Sequence, residues 1–149
     1  MTDEEDVIAE HAQFMILESQ NTELKLNALK ELNNYHTAAI LIQDRDPEVR
    51  KACIAVDEDF AKELVNDQDM SVRLACLEAI DCVDELVNDH EVEIRKACAR
   101  YHEGATQLIN DEDPEVRKIC AEHYQCASGL VNDIDKGVRS IAKITVERW

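Results

Sequence analysis

The chain has 149 residues, 45% hydrophobic and 33% charged, and its 33 acids against 16 bases give a formal net charge of -17. That composition excludes a disordered tract, and no apolar run approaches the roughly 18 residues a membrane-spanning helix needs. A duplex-binding surface requires clustered Lys and Arg to replace phosphate counterions, so direct nucleic-acid binding is not expected.

In chain order, the acidic start Met1-Thr2-Asp3-Glu4-Glu5-Asp6 is the opposite of a signal peptide's basic one, and a cytoplasmic location is expected. Thr2-x-x-Glu5 reads as a capping box before Val7, Ile8, His11, Phe14 and Met15, which predicts an amino-terminal capping helix within 1–21. Residues 22–43 hold a degenerate repeat, in which Lys25 takes the place an arginine fills later. From residue 44 to 135 the chain repeats itself regularly. Arg50, Arg73, Arg95, Arg117 and Arg139 each follow Val or Ile at spacings of 23, 22, 22 and 22. Six residues before each arginine stands an aspartate: Asp44, Asp67, Asp89, Asp111 and Asp133. Three residues after it come Cys53, Cys76, Cys98 and Cys120, with Ala142 in the last copy. A fixed period of this kind marks units that bury their apolar faces only by stacking on neighbours.

One copy, Leu108 to Ala121, shows how the pattern specifies a helix. Asp113 is placed to cap it, Pro114 sits at the first helical position, and Glu115 faces the positive end of the dipole. Val116, Ile119, Cys120 and Tyr124 then form an apolar stripe. Asp46, Asp69, Glu91 and Asp135 occupy the same cap position. A shorter second helix follows in each copy, as in Phe60-Ala61-x-x-Leu64-Val65 and Ala127-x-x-Leu130-Val131. Asn66, Asn88, Asn110 and Asn132 then suit a left-handed turn. Residues 136–149 are expected to form a carboxy-terminal capping helix, with Gly137 in place of the usual Glu. The expected fold is all-α: one domain over 1–149, a right-handed α-solenoid of about six two-helix repeats of ~22 residues, capped at both ends.

The run Leu-Val-Asn-Asp-x-Asp-Pro-Glu-Val-Arg-Lys-x-Cys-Ala resembles the HEAT repeat family over roughly residues 37–149. Its short period is closer to the leucine-rich repeat variant family, with units of about 24 residues. The resemblance implies that each turn aspartate and the arginine six residues later join a stacked polar ladder. It also implies that the outer face of the Pro-Glu-Val-Arg helices lines a concave side. That face makes Lys51, Leu74, Glu78, Lys96, Arg100, Lys118 and Glu122 the candidate partner-binding residues. The variant family's iron–sulfur cluster sits in a separate cysteine-rich segment, and no cysteine precedes Cys53 here.

No catalytic, cofactor-binding or metal-ligating set is expected. The six cysteines contain no Cys-x-x-Cys pair. Equivalent positions in packed helices lie roughly 9–10 Å apart, beyond the ~7 Å reach of a disulfide, so they read as core thiols. His90-Glu91 and His102-Glu103 invite comparison with the His-Glu iron ligands of the HEAT-like deoxyhypusine hydroxylases. Those pairs recur at matching repeat positions, whereas these two stand at non-equivalent ones. HEAT-like DNA glycosylases need a basic, aromatic concave face, and aromatics are only 4% here. The function expected is a non-enzymatic protein–protein scaffold or adaptor, monomeric and away from membranes. Its partner would be gripped by the concave face or by an acidic edge of Asp57, Glu58, Asp59, Glu63, Asp81, Asp84 and Glu85, which suits a basic protein. The alternative is a small acidic inhibitor, of phage or mobile-element type, that occupies a nucleic-acid-binding protein.

Overall fold

The computed structural model describes residues 14–148, so the Thr2–Glu5 capping box, most of the amino-terminal capping helix and Trp149 lie outside the described residues. Among the described residues every regular element is a helix. Residues 14–17 are helical, followed by α1 (Thr22–Leu32), α2 (Tyr35–Leu41), α3 (Pro47–Val56), α4 (Asp59–Leu64) and α5 (Met70–Ala79). Then come α6 (Val83–Leu86), α7 (Val92–Cys98), α8 (His102–Gln107), α9 (Pro114–Ala121), α10 (Tyr124–Leu130) and α11 (Lys136–Arg148). The chain forms two compact units, Met1–Ile80 and Asp81–Trp149. In the first, α3 packs between α1 and α5, with α2 and α4 laid against this row. In the second, α9 packs between α7 and α11, while α6, α8 and α10 form the companion layer.

The expected caps form where a short carboxylate is available. Asp46, Asp69 and Asp113 accept from the amides of Glu48, Ser71 and Glu115 at 2.7–2.9 Å. Asp135 does the same for Val138 at 3.0 Å. Glu91 makes no such bond. Its extra methylene carries the carboxylate past the first-turn amides.

Val49, Val72, Ile94, Val116 and Val138 are fully buried, as are Cys53, Cys76, Cys98 and Cys120. The two cysteines off that series are also placed by the repeat. Cys82 and Cys126 follow the ladder cysteines Cys76 and Cys120 by six residues and are buried in the companion layer. Gly104 stands at the same offset from Cys98, and a Cβ there would lie 2.1 Å from the Cys98 carbonyl oxygen. The backbone of α8 therefore rests directly on the end of α7, which only glycine permits.

Two expectations are corrected. Asn66, Asn88, Asn110 and Asn132 do not adopt left-handed backbone. Among the described residues the one non-glycine with positive φ is Asn33, at 42°. It closes α1, its amide bonding the Leu29 carbonyl at 2.9 Å. Tyr124 does not continue the α9 stripe, because α9 ends at Ala121 and Tyr124 begins α10, 51% exposed. Two helices fit in 22 residues only if the first stops there.

The ladder joins helices in a more specific way than the spacing of six suggests. Arg50 grips the Asp67 carboxylate with Nε and Nη2, both at 2.7 Å, while its Nη1 donates to the backbone carbonyl of Asp44 at 2.7 Å. Arg95 grips Asp111 at 2.8 and 3.2 Å and reaches the Asp89 carbonyl at 3.0 Å. Arg117 grips Asp133 at 2.8 and 3.0 Å and reaches the Asp111 carbonyl at 2.8 Å. So the aspartate six residues back supplies its carbonyl, and the carboxylate comes from the following copy. Each of these aspartates also accepts from the amide two residues on, at 2.7–2.9 Å, which fixes the turn. Lys25 bonds the Asp44 carboxylate, the same junction made with an ammonium.

These bonds hold carboxyls in the charged form. Burial pushes Asp67 up, but the Arg50 bond and the Asp69 amide outweigh it and its pKa falls below the usual value. Asp133 is lowered chiefly by Arg117, Asp69 by Ser71, and Asp46 by the Thr22 hydroxyl, which donates at 2.5 Å. The folded-state pKa values are depressed, so their stabilising contribution is complete above the unfolded value of about 4 and is lost as pH falls through the folded values. Above that range acidification only relieves the self-repulsion of the -17 chain. Denaturant midpoints should therefore hold or rise from pH 7 down to about pH 4 and fall steeply below it. Asp133→Asn should flatten the acid limb.

Arg95→Ala leaves the buried Asp111 carboxylate unpaired and should cost about 2–4 kcal/mol in chemical denaturation. Arg139 bonds only the carbonyls of Asp133 and Ile134 among the described residues, and Arg139→Ala should cost about 1 kcal/mol.

Candidate functional site

The candidate binding residues divide between the two units. Lys51 on α3 and Leu74 on α5 hold equivalent positions on helices that pack together, and both are half-buried. Glu78 is exposed near the end of α5. In the second unit Lys96 and Lys118 hold equivalent positions on α7 and α9, whereas Arg100 and Glu122 are exposed just beyond those helices.

The three lysines share one arrangement. Each is paired with the glutamate three residues earlier: Lys51 with Glu48 at 2.7 Å, Lys96 with Glu93 at 3.1 Å, and Lys118 with Glu115 at 2.6 Å. Each lysine side chain is 27–28% exposed, and its glutamate is 55–61% exposed. The alkyl stems lie along the helix and the charged heads stay in water. Glutamates expected only to complement the helix dipole therefore also neutralise the lysines. Glu115 raises the Lys118 pKa and holds the ammonium charged.

The end of the Lys118 side chain lies against Gly137. A Cβ on Gly137 would meet Lys118 Cε at 2.5 Å and Nζ at 3.1 Å. That lysine end is flexible and could swing aside, so the contact does not require glycine where other copies place Glu or Ser.

Sequence reasoning did not find the groove beside Glu122. There, Ile141, Ile144, Thr145 and Arg148 of α11 line a hollow of about 340 Å³ together with Glu122. Their spacing of three, four and seven residues places them on one helical face. The signal was present, but it overlaps the buried stripe of Val138, Ala142 and Thr145. In the first unit a second hollow, of about 420 Å³, is lined by ladder residues Asp44, Arg50 and Asp67 with Gln43, Arg45 and Glu63. Its polar walls are mostly committed to the ladder bonds.

The acidic edge is solvent-facing in both units: Glu58, Asp59 and Glu63 in the first, Asp81, Asp84 and Glu85 in the second. Asp59 pairs with Lys62 at 2.5 Å, and Asp84 accepts from Gln107 at 2.7 Å. His90 is 77% exposed, its ring nitrogens each 3.5 Å from Asp89 or Glu91, and His102 opens α8. Comparison with protein-family models, curated proteins and solved structures gives no match.

All six cysteines are free and buried. Burial pushes the thiols of Cys53, Cys98 and Cys120 up to about 12 and that of Cys82 to about 11. A thiol held neutral and shielded is a poor nucleophile. An aromatic disulfide reagent at mildly alkaline pH should therefore label the native protein far more slowly than a free thiol. All six should react promptly in denaturant.

Proposed function

We propose that the chain is a short HEAT-like α-solenoid, right-handed and of about six repeats, acting as a non-enzymatic scaffold or adaptor for a protein partner. The row of first helices with companion helices laid against it in each unit supports the stacking. So does the Arg–Asp clasp, which recurs at the period of the sequence. In this reading the ladder consumes the arginines and turn aspartates, and recognition falls to the outer helix face.

One observation carries the functional part: the recurrence of the half-exposed Lys51–Glu48, Lys96–Glu93 and Lys118–Glu115 pairs. A surface of paired, alternating charge sets register and selects partners more than it supplies raw affinity. The solvent-facing acids of the short helices add a preference for a partner with basic side chains. An inhibitor mimicking nucleic acid would present one continuous acidic stripe, and the lysine pairs interrupt such a stripe.

The test compares proteins captured from host lysate by the native chain and by a K51E/K96E/K118E variant. These are surface pairs, so the melting temperature should change little. The partner should be captured by the native chain and lost by the variant. Partners retained by the variant, and consisting mainly of nucleic-acid-binding proteins, would favour the inhibitor instead.

A further inference from the structure

The two sequence ends of this chain carry opposite charge, and each exposes apolar side chains. Residues 1–24 contain seven acids (Asp3, Glu4, Glu5, Asp6, Glu10, Glu18 and Glu23) and no Lys or Arg. Within that stretch the described residues Phe14, Met15 and Leu24 are 57%, 59% and 45% exposed. At the other end, α11 carries Lys136, Arg139, Lys143 and Arg148 against one acid, Glu147, in a chain whose net charge is -17. Ile144 is 49% exposed there, and with Ile141, Thr145, Arg148 and Glu122 it lines the 340 Å³ groove. Neither Lys143 nor Arg148 takes part in an ion pair among the described residues. Arg148 thus lines the groove as its cation, opposite the acid Glu122, and Lys143 adjoins Ile144 on α11.

We propose that the α11 groove binds the acidic amino-terminal stretch of a second copy of this chain, giving head-to-tail self-association. Three features of the two surfaces match. The exposed Phe14 and Met15 supply the apolar side chains that the Ile141–Ile144 groove lacks. Glu18 and the acids before it supply counter-charges for Lys143 and Arg148. The two patches differ from each other, so the contact is heterologous, and a copy joined at one end keeps the other end free to bind again. Opposite charges on the ends also disfavour like-with-like pairing, since juxtaposed basic helices repel. The inference is independent of the adaptor reading, because it uses neither the paired lysines nor the short-helix acids. Its failure would leave that reading as it stands.

Sedimentation velocity across the micromolar to near-millimolar range, at low and at high salt, tests it. The native chain should show a mass that grows past that of a dimer with concentration. Salt should weaken the association, since exposed charges are screened within about 8–10 Å. Two variants at exposed positions then separate the ends: F14K/M15K removes the head, and K143E/I144E removes the tail. Each alone should remain monomeric, with Kd raised at least about tenfold. Mixed in equal amounts they should give a dimer and nothing larger, because one supplies an intact groove and the other an intact acidic stretch. Thermal melts matching the native chain's confirm that both variants fold. A native chain that stays monomeric at every concentration overturns the proposal. So does F14K/M15K dimerising by itself, which would show that the groove pairs with its own kind.

Discussion

The structure depends on one arginine–aspartate clasp, used again and again. In each full instance a single guanidinium spends its Nε and Nη2 on one carboxylate and its Nη1 on a backbone carbonyl. The planar fork of arginine matches this geometry, and a lysine could not satisfy both directions at once. The aspartate in turn accepts from the arginine and from the amide two residues ahead, which shapes the loop entering the next helix. One pair of residues therefore links a turn, the helix behind it and the helix ahead. Two short helices in 22 residues have little apolar area of their own. A buried, hydrogen-bonded charge pair adds what the small core needs: a fixed register between neighbours.

Much of this was legible in the residues. The period, the Asp-Pro-Glu caps and the Val and Cys core positions follow from local chemistry that side chains carry wherever they are placed. The ladder was legible as a co-occurrence but not as a set of bonds. A spacing of six tells that Asp44 and Arg50 belong to the same motif. It does not tell that Arg50 takes the carbonyl of one aspartate and the carboxylate of another, Asp67, because that depends on the rise between packed helices. The asparagines failed for a related reason. Asn tolerates a left-handed turn, but the turn aspartate right after each one already fixes the turn by accepting from the amide two residues on, with no positive φ. Asn33, with no aspartate following it, takes the conformation that its neighbours in sequence type do not.

The candidate site was harder to read, because surface residues answer to several demands together. Glu48, Glu93 and Glu115 look like dipole partners and are also ion-pair partners. The α11 groove was hidden because Ile141 and Ile144 extend an apolar stripe whose other members are core. Periodicity identifies the face that packs. Where a stripe is wider than its neighbour needs, the surplus width is what remains open, and width is set in three dimensions.

The first junction of the chain differs from the others in a way that bears on how it comes apart. Lys25 meets Asp44 through an ammonium, a compact charge without a fork, and Thr22 adds a single hydroxyl bond to Asp46. At Arg50, Arg95 and Arg117 a guanidinium holds two oxygens at a fixed angle. The polar contacts of the α1–α3 junction can therefore loosen one at a time. Amide protons of α1 should exchange with solvent sooner than those of α3, and partial opening of the first unit has its natural starting edge there.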